Sequence, residues 1–518
     1  MIYNTPVILP GAVPRNLPDP KKLARVFLLL FIAGAAIRFV DVFRPADGRV
    51  REAWRECDYA ALARNFAREG MNILRPRIDW RGSGPGYAEM ELPIIPWTMA
   101  VFYKVFGIHE AIGRALIWVV SLLTLLVFFA LARRLLPPAG AAAAGLFFVL
   151  SPLSVRVSNA LQPEGLMLLL IVSGVYCFIR WLEGDGWRFY WLSAAAIAGA
   201  ILVKAPAAHI GILLAALLVR KKGWPALLRL ETWAFGVLAL LPAAAWYTYA
   251  HRLYLEYGLS LGLSNETHWL GWDLVRSPRA LLSHMTGVAR GEGIFVWTPI
   301  GAAFLAILLF FRKGNEIKAV VAWWLISIGI FFLAALRTVG DDWAVYYHVV
   351  AVPPAALTIG AVAGWLATRW RSSDLLRFER KVLVAGFLLV YGFLAVLVAR
   401  DFHPRALEPL YRCARSFSAS IPEGDLILVS GGPAKDPTGR PVAYNASYFF
   451  YWLDRRGWNI PSDAASLEAV REYARRGASF FIAEKSFLAL NPGLEGELRA
   501  AFPAPAECPG AVLFRIVP

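Results

Sequence analysis

Cysteine and charge are both scarce in this chain of 518 residues. The four cysteines are too few for a disulfide scaffold, and none of them stands in the Cys-x-x-Cys spacing of a metal site. Walker A, His-Glu-x-x-His, Gly-x-Ser-x-Gly and EF-hand patterns are also absent. The sequence therefore lacks the common signatures of P-loop enzymes, zinc proteases, serine hydrolases and calcium sensors.

Charged residues make up only 17% of the chain, whereas hydrophobic residues make up 58%. The mean hydropathy of +0.52 is typical of an integral membrane protein. The net charge of +16 comes from short basic clusters between apolar runs, so we expect no nucleic acid as a partner. Residues 1–20 show no cleavage pattern, and the first apolar run is interpreted as a retained anchor.

Apolar runs long enough to cross a bilayer recur along the first 400 residues. A further run at 94–107 is short and could be re-entrant or interfacial. If it does not cross and the chain starts in the cytoplasm, the basic clusters fall on one side. This predicts eleven spans, or thirteen with a compensating one, near residues 22–43, 111–133, 138–153, 163–182, 189–203, 205–220, 231–250, 293–311, 318–337, 346–368 and 381–399.

This topology places the first loop (44–110), the turn 154–163, the loop 251–292 and the tail from residue 401 outside the cytoplasm, with the protein in the inner (plasma) membrane. The tail alternates strand-like runs at 425–431, 479–485 and 511–517 with helical patterns. We therefore predict a polytopic α-helical membrane domain over 1–400 and an extracytoplasmic α/β domain over 401–518. In an oxidising compartment Cys413 and Cys508 either pair or stay free.

The first loop contains an unusual density of carboxylates and arginines. Glu56 and Asp58 stand at the start of a helical pattern, where the helix dipole by itself favours acidic residues. The dipole does not account for the second acidic cluster, Glu89 and Glu91. Paired acids suit general-base chemistry or the binding of sugar hydroxyls, and arginines suit phosphate. The candidate residues in this loop are Arg55, Glu56, Asp58, Asp79, Arg81, Glu89 and Glu91.

Further candidates lie at the outer ends of later spans. Glu164 follows Pro163 at a helix start, and Lys204 interrupts an apolar stretch where a lysine is costly unless it is paired or snorkels to the interface. Lys204 is a candidate for binding a lipid phosphate. Arg337, Tyr347 and His348 form another outer cluster, although a single histidine at an interface is more often structural.

These features together resemble the GT-C glycosyltransferases, in particular the family-39-like membrane proteins related to protein O-mannosyltransferases and lipid A aminoarabinose transferases. In that group the first outer loop carries Asp-Glu-x-x-Tyr before an Ala-Arg-Asn helix. Aligning on Tyr59 puts Arg55 and Glu56 at the acidic pair, whereas aligning on an aspartate selects Asp58, so both acids are candidate bases. Glu-Leu-Pro at 91–93 matches the later Glu-x-Pro motif, and Gln-Pro-Glu at 162–164 matches the second acidic position.

The resemblance implies inverting transfer of a sugar from a polyprenyl-phosphate-linked donor to a hydroxyl of a glycan, lipid or protein at the outer membrane face. The aminoarabinose transferases also carry a Glu-Lys-Pro-Pro motif whose lysine aids phosphate binding. Leu92 stands at that position here, so Lys204 or an arginine of the loop has to serve. The resemblance implies no nucleotide-binding fold and no certain cofactor, and it leaves a divalent metal open. Two alternatives remain: a flippase or transporter for a lipid-linked sugar, and a non-catalytic scaffold with this fold.

Overall fold

The computed structural model describes residues 20–48, 53–263, 269–310, 315–372, 377–402, 407–435, 439 and 442–516. Most of these residues are helical, and a small sheet forms near the C-terminus. The predicted combination of a polytopic helical region and a C-terminal α/β region is confirmed. The boundary placed at residue 401 stays a prediction.

The part of the described chain before residue 402 contains seventeen α-helices and a longer 3-10 helix, Asp342–Ala351. Most of them coincide with the apolar runs of the sequence, because a helix satisfies its backbone hydrogen bonds internally within a bilayer. Their bounds are α1 Pro20–Phe39, α2 Ala53–Glu69, α3 Ile94–Phe106, α4 Glu110–Leu135, α5 Pro138–Leu150, α6 Pro152–Asn159, α7 Glu164–Leu182, α8 Trp187–Val203, α9 Ile210–Lys222, α10 Leu230–Tyr257, α11 Trp272–Arg276, α12 Pro278–Gly291, α13 Thr298–Phe310, α14 Asn315–Ala334, α15 Leu336–Val339, α16 Val352–Ser372 and α17 Arg377–Asp401.

Six of these helices are long and apolar enough to cross a membrane: α4, α7, α10, α14, α16 and α17. The number rises to eight if each of two bent pairs, α5 with α6 and α12 with α13, forms one span. Helices α3 and α8 are apolar but shorter. The predicted total of eleven to thirteen spans includes such shorter helices and stays a prediction, whereas a multi-pass membrane protein is confirmed.

Small residues let helices α5 and α16 pack backbone against backbone. A side chain on Gly140 would meet the carbonyl oxygen of Gly360 at 2.4 Å, and one on Gly360 would meet that of Gly140 at 2.5 Å. Gly360 and Gly364 form a Gly-x-x-x-Gly pattern, which promotes close helix packing in membranes. Either glycine of the contact would be hard to replace without separating the two helices.

The tail folds around a mixed sheet of five strands. Strands β2, β1 and β3 are parallel, while β5 is antiparallel to β3 and to β4, in the order β2-β1-β3-β5-β4. Cys413 and Cys508 form a disulfide with their Cα atoms 5.6 Å apart. The bounds are α18 Glu408–Phe417, β1 Leu426–Ser430, α19 Tyr448–Leu453, β2 Arg456–Ile460, α20 Leu467–Arg475, β3 Ala478–Glu484, α21 Lys485–Leu490, α22 Leu494–Ala501, β4 Ala506–Glu507 and β5 Ala511–Arg515.

The tail packs directly against helix α2 of the first loop. Buried side chains of α2 and α3 share one hydrophobic cluster with α18, α19 and the sheet. Polar contacts reinforce this packing: Arg64 pairs with Asp454 at 2.9 Å, and the Ser447 hydroxyl donates to the Trp54 carbonyl oxygen at 2.6 Å. The first loop is therefore held between the membrane helices and the tail.

Candidate active site

A cavity of about 1170 Å³, including its open mouth, lies where the first loop, the membrane helices and the tail meet. It is mostly apolar but has charged groups on its wall. Its lining includes Arg55, Asp58, Tyr59, Trp80, Glu91, Lys204, Tyr247, Ser260, Leu261, Tyr346, Tyr347 and Asn445. Five of the candidates predicted from the sequence line it: Arg55, Asp58, Glu91, Lys204 and Tyr347.

Helix α2 directs one of its faces into this cavity. Arg55, Asp58 and Tyr59 line the wall, and their spacing of three and four residues puts them on the same side of the helix. Glu56 is rotated about 100° from Arg55, which puts it on a different face. The two acids predicted as alternative bases therefore have different surroundings.

Asp58 lines the cavity and accepts a hydrogen bond from the Trp80 indole nitrogen at 3.0 Å. Burial raises the pKa of Asp58 to about 7, although the hydrogen bond from Trp80 acts to lower it. Among the described residues, no lysine or arginine forms an ion pair with this carboxylate. A carboxylate in such surroundings can take up a proton near neutral pH.

Two cations and two carboxylates form a compact group beside Asp58. Arg55 contacts Glu91 at 3.0 Å and Glu164 at 3.3 Å, and Lys204 contacts the same two acids at 3.5 and 3.1 Å. The Tyr59 hydroxyl donates to Glu91 at 2.6 Å. Burial acts to raise the pKa of Glu91, but Lys204, Arg55 and Tyr59 outweigh it and lower this pKa to about 2. Glu91 is therefore a carboxylate at any physiological pH.

Tyrosine rings hold the two cations on the cavity side. The Arg55 guanidinium lies 4.9 Å from the ring centre of Tyr346, and the Lys204 amine lies 5.1 Å from that of Tyr347. Such cation–π contacts are favourable where water is excluded. Lys204 follows the end of α8 in an extended conformation, which turns it away from the helix axis. The cavity wall thus presents two fixed positive charges.

Glu56 lies outside the cavity lining and is completely buried. Its two carboxylate oxygens accept hydrogen bonds from Arg114 at 3.0 and 3.2 Å, and one of them accepts from the Leu161 backbone at 3.1 Å. Burial raises the pKa of Glu56, and Arg114 acts in the opposite direction. The acid joins α2 to α4 and to the turn before α7, which is a structural position.

Asp79 and Arg81 stabilise the first loop away from the cavity wall. Asp79 pairs with Arg64 and accepts a hydrogen bond from the Asn65 amide at 2.8 Å. Arg81 pairs with Glu69 and donates to a loop carbonyl. Their contact with the cavity is indirect, because Trp80 stands between them and lines it.

The remaining candidates also support the wall from behind. Glu89 contacts His251 at 3.1 Å and accepts from the Ser260 hydroxyl at 2.6 Å, which fixes a loop that lines the cavity. Arg337 pairs with Asp273. His348 contacts a Glu292 oxygen at 2.7 Å and the Val339 carbonyl oxygen at 2.9 Å. None of Glu89, Arg337, His348 and Glu164 belongs to the described lining.

Comparison with known proteins finds one family and one relative that match part of the chain. The family described as dolichyl-phosphate-mannose-protein mannosyltransferase matches residues 90–249, less than a third of the chain. An uncharacterised protein of Aquifex aeolicus (strain VF5) is 25% identical over 242 residues, which are 45% of each chain. The chain thus covers under half the length of this relative.

Solved structures match nearly the whole chain. The crystal structure of ArnT from Cupriavidus metallidurans in the apo state has a TM-score of 0.60 at 16% identity, covering 95% of this chain and 98% of ArnT. The chain has the GT-C fold.

The same ArnT bound to undecaprenyl phosphate matches with a TM-score of 0.57 at 14% identity, covering 96% of this chain and 99% of ArnT. An oligosaccharyltransferase, AglB from Archaeoglobus fulgidus, in complex with an inhibitory peptide and a dolichol-phosphate, has a TM-score of 0.58 at 12% identity, covering 93% of this chain and 72% of AglB.

Several residues that line this GT-C cavity were not among the predicted site residues. Trp80 follows a predicted acid, and Tyr59 stands one turn after Arg55, so proximity to Asp79 and helical spacing could have indicated them. Tyr346 lies beside the predicted Tyr347 and contacts Arg55. Asn445 comes from the tail, and nothing in its sequence context pointed to the cavity. Long-range contacts of this kind are visible only in the folded chain.

The described part of the chain contains no group of three or more His, Cys, Asp or Glu side chains arranged to hold a metal ion. The acids nearest the cavity are instead engaged by cations or by Trp80. The chain's own residues offer cations for an anionic group and one protonatable carboxylate.

Proposed function

We propose that this protein is an integral membrane glycosyltransferase that moves a sugar from a polyprenyl-phosphate-linked donor to a hydroxyl acceptor. One observation carries the proposal: the carboxylate of Asp58 and the cations Arg55 and Lys204 face the same cavity beside the membrane helices. Glycosyl transfer from a lipid phosphate needs a base for the acceptor and positive charge for the leaving group.

Asp58 is the proposed base, in preference to Glu56. Its carboxylate takes the proton from the acceptor hydroxyl while the acceptor oxygen bonds to the anomeric carbon of the donor sugar. The bond between that carbon and the phosphate oxygen breaks, and its electron pair leaves with the lipid phosphate. Attack opposite to the leaving group inverts the anomeric configuration. Glu56 is proposed as structural, because Arg114 and the Leu161 backbone already occupy its oxygens.

Arg55 and Lys204 are the proposed contacts of the donor phosphate. Glu91 and Glu164 hold these cations in place through ion pairs of 3.0 to 3.5 Å. The acids cancel part of the positive charge, but they fix its position, so that little reorganisation is needed as charge develops on the phosphate. The structure of ArnT bound to undecaprenyl phosphate supports a lipid phosphate as the ligand class.

The reaction is proposed to occur at the outer face of the cell's inner membrane, with the N-terminus in the cytoplasm. The positive-inside distribution of the basic clusters supports this orientation. A reporter fused after residue 420 tests it: an extracytoplasmic signal is expected, and a cytoplasmic signal would contradict the orientation.

The enzymatic proposal is tested with purified protein, labelled polyprenyl-phosphate-sugars and a set of glycan, lipid and peptide acceptors. We expect transfer with at least one donor and its loss in Asp58→Asn. Full activity in Asp58→Asn would exclude Asp58 as the base. Failure of the wild-type protein to consume any donor, by transfer or hydrolysis, would favour a lipid-linked-sugar transporter or a non-catalytic scaffold.

A further inference from the structure

A second cavity adjoins the first on its tail side. It measures about 1260 Å³, including its open mouth, and lies between the first loop, the segment after α10 and the strand β2 region of the tail. Trp80, Ser260 and Asn445 line both cavities. Because Trp80 also donates to Asp58, a ligand that fills the second cavity ends beside the proposed base.

The described lining of the second cavity is aromatic and uncharged. Trp80, Tyr254, Tyr444, Trp458 and Tyr473 supply rings, and asparagine side chains supply amides. Among the lining residues that the structure describes there is no Asp, Glu, Lys, Arg or His. This contrasts with the first cavity, whose wall carries Arg55, Glu91 and Lys204. The second cavity is therefore suited to a neutral ligand with both apolar faces and polar groups.

Asn459 offers a hydrogen-bond donor without a protein partner in this wall. The residue is only 6% exposed, and its side-chain oxygen accepts from the Ala446 backbone nitrogen at 3.1 Å. Because a backbone nitrogen can only donate, the side-chain atom of Asn459 that accepts from it is the amide oxygen. The other terminal atom of this side chain is therefore the amide nitrogen. The nitrogen has no partner within the described residues, and a buried donor is normally satisfied.

The wall is held rigidly by contacts between the first loop and strand β2. The Gly82 nitrogen donates to the Gly457 carbonyl oxygen at 2.6 Å, and the Gly457 nitrogen donates to the Asp79 carbonyl oxygen at 3.2 Å. A side chain on Gly82 would lie 2.3 Å from the Trp458 ring. Although β2 is an edge strand, the loop covers it at Gly457, which removes backbone groups that an added peptide strand would need.

We propose that the second cavity binds a neutral saccharide, which is the acceptor part of the reaction proposed above and on which this inference rests. The apolar faces of sugar rings pack on aromatic side chains, and sugar hydroxyls accept hydrogen bonds from amides such as that of Asn459. A hydroxyl at the end of the saccharide then reaches Asp58 past Trp80. A phosphorylated saccharide would find no cation in the described wall of the cavity.

The test is a binding measurement on the full-length protein in detergent, by saturation-transfer-difference NMR. The probes are neutral di- to tetrasaccharides of hexoses and N-acetylhexosamines, with phosphorylated saccharides and serine/threonine-rich peptides as comparisons. We expect a neutral saccharide to bind the wild-type protein. Trp458→Ala and Asn459→Asp should each weaken its binding about tenfold, because one loses a stacking face and the other replaces the free donor by an oxygen.

Asn72→Asp is the matched control, because its side-chain oxygen also accepts from a backbone nitrogen, that of Leu74 at 3.1 Å, and it lies outside both linings. It should bind as wild type does. Thermal unfolding of each variant separates weakened binding from misfolding. The inference would be overturned if the wild-type protein preferred a phosphorylated saccharide or a peptide, or bound no saccharide. It would also be overturned if folded Trp458→Ala and Asn459→Asp bound the saccharide as tightly as wild type. Saccharide binding without donor consumption would instead contradict the proposed function alone.

Discussion

Two acids of helix α2, Glu56 and Asp58, stand two residues apart and occupy opposite kinds of site. Glu56 meets Arg114 on the protein side, where its contacts join α2 to α4 and to the turn before α7. Asp58 meets an indole on the cavity side, and its pKa is raised to about 7. Burial alone does not distinguish the two acids, since both are buried. The proposed distinction between a structural acid and a base depends instead on the cationic partner, which Glu56 has in Arg114.

The largest effect should come from exchanging these acids for their amides. Asp58→Asn removes the proposed base, and we expect the transfer rate to fall by a factor of about 10² to 10⁴. Glu56→Gln should keep most of the activity of each folded molecule. The comparison uses initial transfer rates divided by the amount of correctly folded protein. That amount is measured by gel filtration in detergent. Equal losses in the two variants would contradict the distinction between them.

A smaller effect on activity is expected from changing the cations Arg55 and Lys204 of the first cavity. Lys204→Met removes one of the two charges proposed to hold the donor phosphate, and a lost charge-assisted hydrogen bond corresponds to about 10- to 100-fold weaker binding. The KM for the polyprenyl-phosphate-sugar should rise accordingly. Lys104→Met, an exposed lysine on α3 outside the cavity, is the control. An unchanged donor KM in Lys204→Met would remove Lys204 from the proposed phosphate site.

Glu56→Gln should lower the stability of the protein rather than its transfer rate. It leaves the Arg114 guanidinium buried beside a neutral amide, and breaking a buried ion pair costs about 3–5 kcal/mol. The melting temperature in detergent should fall. The double variant Glu56→Gln/Arg114→Met removes both charges and should recover part of the loss. A melting temperature equal to that of wild type in Glu56→Gln would show that the pair contributes little.

The membrane helices were largely predictable, whereas the partners of the site residues were not. The apolar runs at 111–133 and 163–182 became α4 and α7, because a long uninterrupted apolar run has few alternatives to a buried helix. The choice between Glu56 and Asp58 depended on Arg114, which lies 58 residues further along the chain. In the tail, the runs at 425–431, 479–485 and 511–517 became β1, β3 and β5, but the short β4 and the glycine-containing β2 carried weaker patterns.

The smallest and most specific effect concerns the pH dependence of the reaction. A base works when ionised, so kcat/KM should rise with pH through a midpoint near 7, the pKa of Asp58, and level off above it. Trp80→Phe removes a hydrogen bond that lowers this pKa, so the midpoint should move to higher pH. Trp97→Phe is the control, because its indole donates to the Met71 carbonyl oxygen, outside the cavity. Profiles from about pH 5 to 9 would distinguish the cases, and a midpoint that falls in Trp80→Phe would show that another group titrates.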